Sequence, residues 1–532
     1  MTIHKTSGQA SVWSTKTLIA GLLLVAAMVL ASMTAATSAR ASTTFVVNGT
    51  GDAPDASTTA SACDTDPSTT GKQCTLRAAI EQANATAGAD TINFAIPGTG
   101  VKTISPASDL PNITDQVSID GYTQTGATPN TRAVGNDASL KVVLDGTEAG
   151  SGRDGLSIDS ASNSLIKGLV INSFSNSGID VYTNSFAPTV GTRIQGNFLG
   201  TDASGTLDKG NGNDGVSVFS PDISQTVVGG TTPAARNLIS GNDDAGLDMG
   251  DTSADNVLSE SARVQGNYVG TDRSGTKDLG NDGDGIFLEF ASGATIGGKT
   301  ASSRNVVSGN GGEGVELNNV SGSQVLGNRI GTTASGTGAL GNDFSGVFLG
   351  GGSLSTSNKI GDGTSEGSNT IAFNNHDGVE IPAGIGHGIS RNSIFSNGGL
   401  GIDLLGLSEN TSTNVPTPND QDDTDTGPNN LQNKPVLTSA KTVSGKTTIA
   451  GRLESTPGTS FTIEFYSNPS DTNEGRVFIG QRTVTTTVDG VRSFTFTPSN
   501  RVTAGRTITA TATRDTTHDT SEFSAPRTVA SS

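Results

Sequence analysis

From about residue 91 to 407, short apolar stretches recur between Gly, Asn, Asp and Ser turns, and no long stretch there shows helical spacing. They fall at 91–94, 116–119, 141–144, 155–158, 165–171, 192–194, 216–218, 263–265, 286–290, 315–317, 347–349, 379–381 and 402–404. Two phrases carry the recurrence. The first reads LGTDASGTLDKGNGNDGVSVF at 199–219, VGTDRSGTKDLGNDGDGIFLE at 269–289 and IGTTASGTGALGNDFSGVFLG at 330–350. The second follows each copy, as VVGGTTPAARNLISGN, TIGGKTASSRNVVSGN and KIGDGTSEGSNTIAFNN. Copies lie about 60–70 residues apart, the signature of a solenoid. With no helical crossover between strands, the pattern predicts an all-β, right-handed parallel β-helix over 91–407. The strand spacing gives about 20–25 residues per coil, hence ~14 coils and a rod on the order of 65 Å.

The fixed positions of the phrases have structural work to do. Gly200, Gly270 and Gly331, with Gly215, Gly285 and Gly346, are expected at turns with positive φ. Asn197, Asn242, Asn267, Asn310, Asn328 and Asn397 stand at corners, where inward amides can bond from coil to coil. Arg236 and Arg304 recur at matching positions, which marks them as structural. What varies between copies is where a ligand face is expected: Ser217, Phe287 and Phe348, or Asp208, Asp278 and Ala339.

The ends differ from the middle. In CTLRAAIEQANATAG (74–88), Leu76, Ala79, Ile80 and Ala83 share one helical face, Thr75 can cap the start and Gly88 the end. One amphipathic helix ahead of a repeat array reads as a lid over its open end, so 42–90 forms an N-terminal cap. Residues 408–435 form a Pro/Asn/Asp linker without periodicity. Residues 436–532 alternate as about seven strands, predicting an immunoglobulin- or fibronectin-like β-sandwich.

Charge and composition narrow the function. The formal net charge is −19, which argues against nucleic acid and anionic membranes as partners. Aromatics are few, with Trp13 the single tryptophan. Residues 1–41 carry basic residues, an apolar run at 18–30 and then small residues, the layout of a secretory signal. In an exported chain the only two cysteines, Cys63 and Cys74, read as a disulfide.

The stretch CTLRAAIEQAN, after a polar loop holding a cysteine, resembles the N-terminal module of the CSLREA-domain family. Cys74, Leu76, Arg77 and Ala79 match its motif, whereas Thr75 and Ala78 depart from it. The repeat phrases, the stretch 420–437 and the terminal sandwich resemble the regions that follow that module in exported bacterial β-helix proteins. The resemblance implies architecture and export and no particular reaction.

Candidate chemistry is sparse. Asp243-Asp244, Gly386-His387-Gly388 and Arg391 match pieces of the pectin-hydrolase site found on parallel β-helices. Inverting hydrolysis needs two carboxyls about 6.5–9.5 Å apart. Here the acid pair precedes His387 by more than 140 residues, roughly six coils or 30 Å, and no Arg-x-Lys follows. Turn residues of a Gly/Asp-rich chain account for the match. Asp420, Asp423 and Asp425, close to Gly427, have the alternation of an oxygen-rich calcium loop. The Gly/Asp run at 281–285 reads as a turn. The sequence as a whole reads as a secreted or surface-exposed protein with a structural, adhesive or glycan-binding role, its partner an extracellular polysaccharide or cell-surface glycan. The alternative is a polysaccharide lyase or glycoside hydrolase.

Overall fold

Each coil of the middle region is built from three short strands separated by corners. The computed structural model describes residues 42–60, 62–183, 189–220, 222–250, 259–405, 415–469 and 472–531; the proposed signal segment lies outside them. One coil runs Arg193–Gln195, Phe198–Leu199 and Val216–Phe219 before Val227–Gly229 begins the next. Stacking produces three parallel sheets, here called A, B and C, of 11, 10 and 9 strands. With the crossover sense that parallel strands adopt, the architecture is a right-handed parallel β-helix.

The coils are longer and fewer than expected. Arg193 pairs with Val227, Val227 with Arg263 and Lys359 with Gly388, so one turn takes 34, 36 and 29 residues respectively. The estimate of 20–25 residues fails because the B-to-C connection of the first phrase contributes length without contributing a strand. Eleven strands in sheet A make ten steps, about 48 Å rather than 65 Å. Leu199, Ile239, Val269, Val307, Ile330 and Ile371 are successive partners in sheet B. The first phrase therefore returns on every second rung, and the repeat unit is two coils.

Inside, Val216, Leu247, Ile286, Val315, Val347 and Val379 form one column of sheet C, each no more than 1% exposed. Two ladders of seven asparagines fill the corners. Between sheets A and B run Asn197, Asn237, Asn267, Asn305, Asn328, Asn369 and Asn392, each Nδ2 donating to the next Oδ1 at 2.9–3.4 Å. Between B and C run Asn211, Asn242, Asn281, Asn310, Asn342, Asn374 and Asn397, at 2.8–2.9 Å. The six asparagines picked from the sequence divide evenly between these ladders. The glycines divide too. Gly200, Gly270 and Gly331 have φ of 77–90°, as expected. Gly215, Gly285 and Gly346 do not have positive φ; at Gly215 a Cβ would lie 2.4 Å from Ile239 Cγ2 of the next coil, so close approach is what requires glycine.

Both ends are closed. Helix α1 (Leu76–Ala85) buries Leu76, Ala79, Ile80 and Ala83 in the same core as Phe45, Ile92 and Phe94. Thr75 accepts from Ala78 N–H, and the C-cap is Thr86 rather than Gly88. Cys63 and Cys74 form the expected disulfide. The C-terminal domain is a two-sheet sandwich. Its first sheet orders Val491–Phe496, Lys446–Glu454, Val436–Val443 and Ala530–Ser531, and its second Val477–Thr485, Ser460–Asn468, Thr507–Arg514 and Arg527–Thr528. The chain end passes from the second sheet to the first, where Ala530–Ser531 pairs parallel with Val436–Val443.

This sandwich caps the open end of the solenoid. Tyr466 and Phe523 enter the β-helix core. Exposed edge N–H groups receive acceptors: Ile389 from Thr520 Oγ1 (3.0 Å), Arg391 from Glu464 (2.8 Å), Ile394 from Gly475 O (2.9 Å) and Leu404 from Glu522 (3.3 Å). Glu474 accepts from Ser396 and Asn397 N–H at 2.7 and 2.9 Å, ending the second ladder. Residues 428–433, read from composition as linker, pack here as well, with Asn429 fully buried.

Candidate functional site

The three outer faces are not equally available. Sheet B is covered: Ala138 and Leu140 pack on Val143, Val170, Phe198, Leu238, Tyr268 and Val306. Arg236, recurrent in the sequence, is buried beneath this cover, bonding the carbonyls of Arg132, Ala133, Gly135 and Gly266 and lying over Tyr268. Arg304 donates to Gly327 O. Both are structural, as their recurrence suggested.

Sheet C carries the concentrated chemistry. Strand alternation sends one residue per coil outward at a fixed register, and along the stack these are Ser157, Asp180, Ser217, Asp248, Phe287, Glu316, Phe348, Glu380 and Asp403. From Asp180 to Glu380 carboxyls alternate with Ser217, Phe287 and Phe348, so each kind returns every second coil. Of the varying positions of the first phrase, Ser217, Phe287 and Phe348 are thus the non-acidic rungs of this row, whereas Asp208, Asp278 and Ala339 lie in the connection from sheet B to sheet C, bridged to Thr201, Thr271 and Thr332. The Phe348 ring folds over Gly350, where a Cβ would sit 2.5 Å from it. In the same coils, Asp154, Asp214, Asp284, Glu313 and Asp377 form a second acidic row just before the strands.

No Lys or Arg stands in either row, and the carboxyls respond to burial and to one another. Burial, then Asp154, pushes Asp180 up to about 6. Burial, then Asp244 and Asp180, pushes Asp214 to about 7; burial with Asp214 and Glu289 pushes Asp248 to about 8. Glu313 reaches about 9 through burial, Glu380 and Asp284. Asp377 reaches about 7, mainly through burial. Asp284 and Glu316 hydrogen-bond to each other, both raised, with Glu316 at about 7. Such a pair holds a shared proton near neutrality. Asp248 Oδ1 and Glu313 Oε2 are buried without a hydrogen-bond partner. A row of neutral and ionised carboxyls offers both donors and acceptors to hydroxyls, and the phenylalanines add apolar contact.

The catalytic candidates are not brought together. Asp243 and Asp244 are exposed at the B–C corner, where Asp244 adds its charge to Asp214 and Asp248. His387 lies beyond the strand stacked four steps from theirs, about 19 Å along the axis. It is fully buried as a rung of a corner ladder: its ring Nδ1 accepts from Asn358 N–H (3.4 Å) and its backbone N–H donates to Asn429 Oδ1 (2.8 Å). Burial drives its pKa down to about 4, so it is neutral. Arg391 is at the junction with the sandwich, its guanidinium 4.7 Å above the Phe478 ring. The acidic rows of sheet C escaped the sequence reading because their members come from successive coils and only the register aligns them.

The acidic trio does converge. Asp420, Asp423 and Asp425 place ligand oxygens within 4.8 Å of one another. Burial, then Asp420 and Asp423, pushes Asp425 up to about 6, and its Oδ1 is buried without a partner. Asp423 is committed elsewhere, accepting from Asn433 N–H (2.7 Å) and Ser455 Oγ (2.7 Å). The three carboxyls form an all-oxygen set, with the Arg514 charge acting on Asp423.

No family model matches the chain, and no curated protein sequence matches it. Among solved structures it is similar to the periplasmic alginate epimerase AlgG, at 12% identity over 60% of this chain and 68% of that one, with a TM-score of 0.30. The A-module of an Azotobacter vinelandii mannuronan C-5 epimerase gives 16% identity over 62% and 91%, TM-score 0.31. The enzymatically active domain of a bacteriophage CBA120 tailspike protein gives 12% over 91% and 72%, TM-score 0.26. Likeness at this level carries no activity across, and the β-helix stands on its own strand register. Among the described residues no helix is long and apolar enough to cross a membrane.

Proposed function

We propose that the protein is an exported glycan-binding β-helix that holds an uncharged or amino-substituted polysaccharide along sheet C. The observation carrying this reading is the alternation of carboxyl and phenylalanine rungs on the outward side of sheet C, where Asp248, Phe287, Glu316 and Phe348 are half-buried. Two coils measure about 9.6 Å, and an extended β-linked sugar chain likewise repeats every two residues. Carboxyls then meet hydroxyl or amino groups while Phe287 and Phe348 meet the apolar faces of alternate rings. Two uncompensated acidic rows repel a polyanion. In the same reading calcium sits on Asp420, Asp423 and Asp425, away from the sugar, and steadies the junction with the sandwich.

The test is affinity electrophoresis through gels containing xylan, chitosan or polygalacturonate. Xylan or chitosan should retard the protein, and Phe287→Ala with Phe348→Ala should abolish that retardation while leaving any retardation by polygalacturonate unchanged. Failure of both xylan and chitosan to retard the protein, or retardation that survives the paired phenylalanine substitution, overturns the reading. A second reading, glycoside hydrolysis, is favoured by one observation, the Asp284–Glu316 carboxyl pair, whose shared proton suits a general acid. Reducing-sugar release from a retained polysaccharide, lost in Glu316→Gln, would support it.

A further inference from the structure

Arg391, singled out in the sequence and unused by sheet C, opens onto a cleft whose other lining residues belong to the sandwich. The cleft has a volume of about 580 Å³, within the range of small-ligand sites. Three of its lining residues are arginines: Arg391 from the β-helix, and Arg501 and Arg506 from the sandwich. No carboxylate lines it, and none of the three arginines forms an ion pair among the described residues. In a chain of net charge −19 this is a concentration of positive charge, with Glu366 the carboxyl that feels Arg391.

The arginines are held to different degrees. Arg506 is fixed by Nε to Ser467 Oγ (2.7 Å) and Nη2 to Ser467 O (3.0 Å). Arg391 is fixed by Nη1 to Gly363 O (3.2 Å) and by the Phe478 ring. Arg501 is exposed and makes no side-chain hydrogen bond among the described residues. Two anchored guanidiniums with donors to spare and one free to close are suited to grip a planar oxyanion. Phe478 and Ile479 supply an apolar wall, and Asn500 and Thr503 supply groups for hydroxyls.

We propose that this cleft binds a sugar carrying a carboxylate, a uronic acid residue, through Arg501, Arg506 and Arg391. The site is separate from sheet C in position and opposite in charge, and it does not rest on the sheet C reading. The test is calorimetric titration of the full chain with galacturonate, galactose and inorganic phosphate. Galacturonate should bind at least 10-fold more tightly than galactose or phosphate. Arg501→Gln, on an exposed side chain, should weaken galacturonate at least 10-fold with the melting temperature unchanged, and Phe287→Ala should leave it unaltered. Failure of galacturonate to bind, equal binding of galactose, or indifference to Arg501→Gln overturns the proposal. Phosphate binding as tightly as galacturonate assigns the cleft to free anions and overturns the sugar.

Discussion

Sheets A and C are built by the same coils, yet their outward rows have opposite characters. In sheet A the row through Arg193 continues as Val227, Arg263, Thr295, Gln324 and Lys359, with bases exposed and no acid. In sheet C the corresponding row holds five carboxyls and no base. Inward positions of both are interchangeable Val, Ile and Leu. Stacking therefore fixes one side of every strand and leaves the other free, and on sheet C that freedom has concentrated charge against the interest of stability.

The largest effect that would break this comparison is on binding. Each phenylalanine ring is worth about 1.5 kcal/mol or more of apolar contact, so Phe287→Ala with Phe348→Ala should weaken polysaccharide binding roughly 100-fold. Arg193→Gln with Arg263→Gln on sheet A should leave it unchanged; equal losses on the two sheets would erase the distinction.

Next comes the ladder that both sheets share. Asn310 is buried, accepts from Asn281 Nδ2 (2.9 Å) and donates to Asn342 Oδ1 (2.9 Å). Asn310→Ala strands groups on both sides and should cost about 2–4 kcal/mol, read by denaturant unfolding.

The acidic rows should give stability a pH dependence of unusual sign. Asp180, Asp214, Asp248, Glu313 and Glu316 hold protons more tightly folded, at about 6 to 9, than at the ordinary 3.8 and 4.5. Their contribution is thus full below about pH 4 and disappears as pH rises through 6–9. A tenfold change in proton affinity at a single carboxyl is about 1.4 kcal/mol, so the chain should melt higher at pH 5 than at pH 9. Asp248→Asn should reduce that difference, whereas a melting temperature that rises steadily from pH 5 to 9 contradicts the uncompensated rows.

Two smaller effects sharpen the picture. Calcium at 100 times its dissociation constant should stabilise the chain by about 2.7 kcal/mol, and Asp425→Asn should remove the response seen by calorimetry. His387→Asn keeps a polar group at its ladder position and should leave polysaccharide binding within about 2-fold; a larger loss would return His387 to the functional surface.

Much of the scaffold was legible because its causes are local. Thr75 caps α1, the two cysteines pair, and corner asparagines and strand hydrophobics declare themselves one coil at a time. The coil length was not legible, because long corners such as the one after Leu199 are built from the same turn residues as short ones. The site was half legible. Ser217, Phe287 and Phe348 stood out as variable positions of one phrase, but their acidic neighbours Asp248, Glu316 and Glu380 lie in the intervening coils, outside that phrase. Residues 428–433 looked like linker because a cap that supplies acceptors to an edge needs polar residues and no period.

The asparagine columns also give the rod a direction. Every amide in both columns turns its nitrogen toward the C-terminal end, so the small dipoles add and leave a donor surplus there. A neutral lid would leave that surplus unanswered, and a basic one would oppose it. Glu474 answers it with carboxyl oxygens that accept from the last rung, Asn397, although burial raises its pKa. The two ends are consequently not equivalent as templates. With the sandwich cut away, the tail would offer rows of unmatched donors to the next molecule's acceptor end, a head-to-tail invitation to polymerise into fibres that Glu464, Glu474 and Glu522 help to refuse.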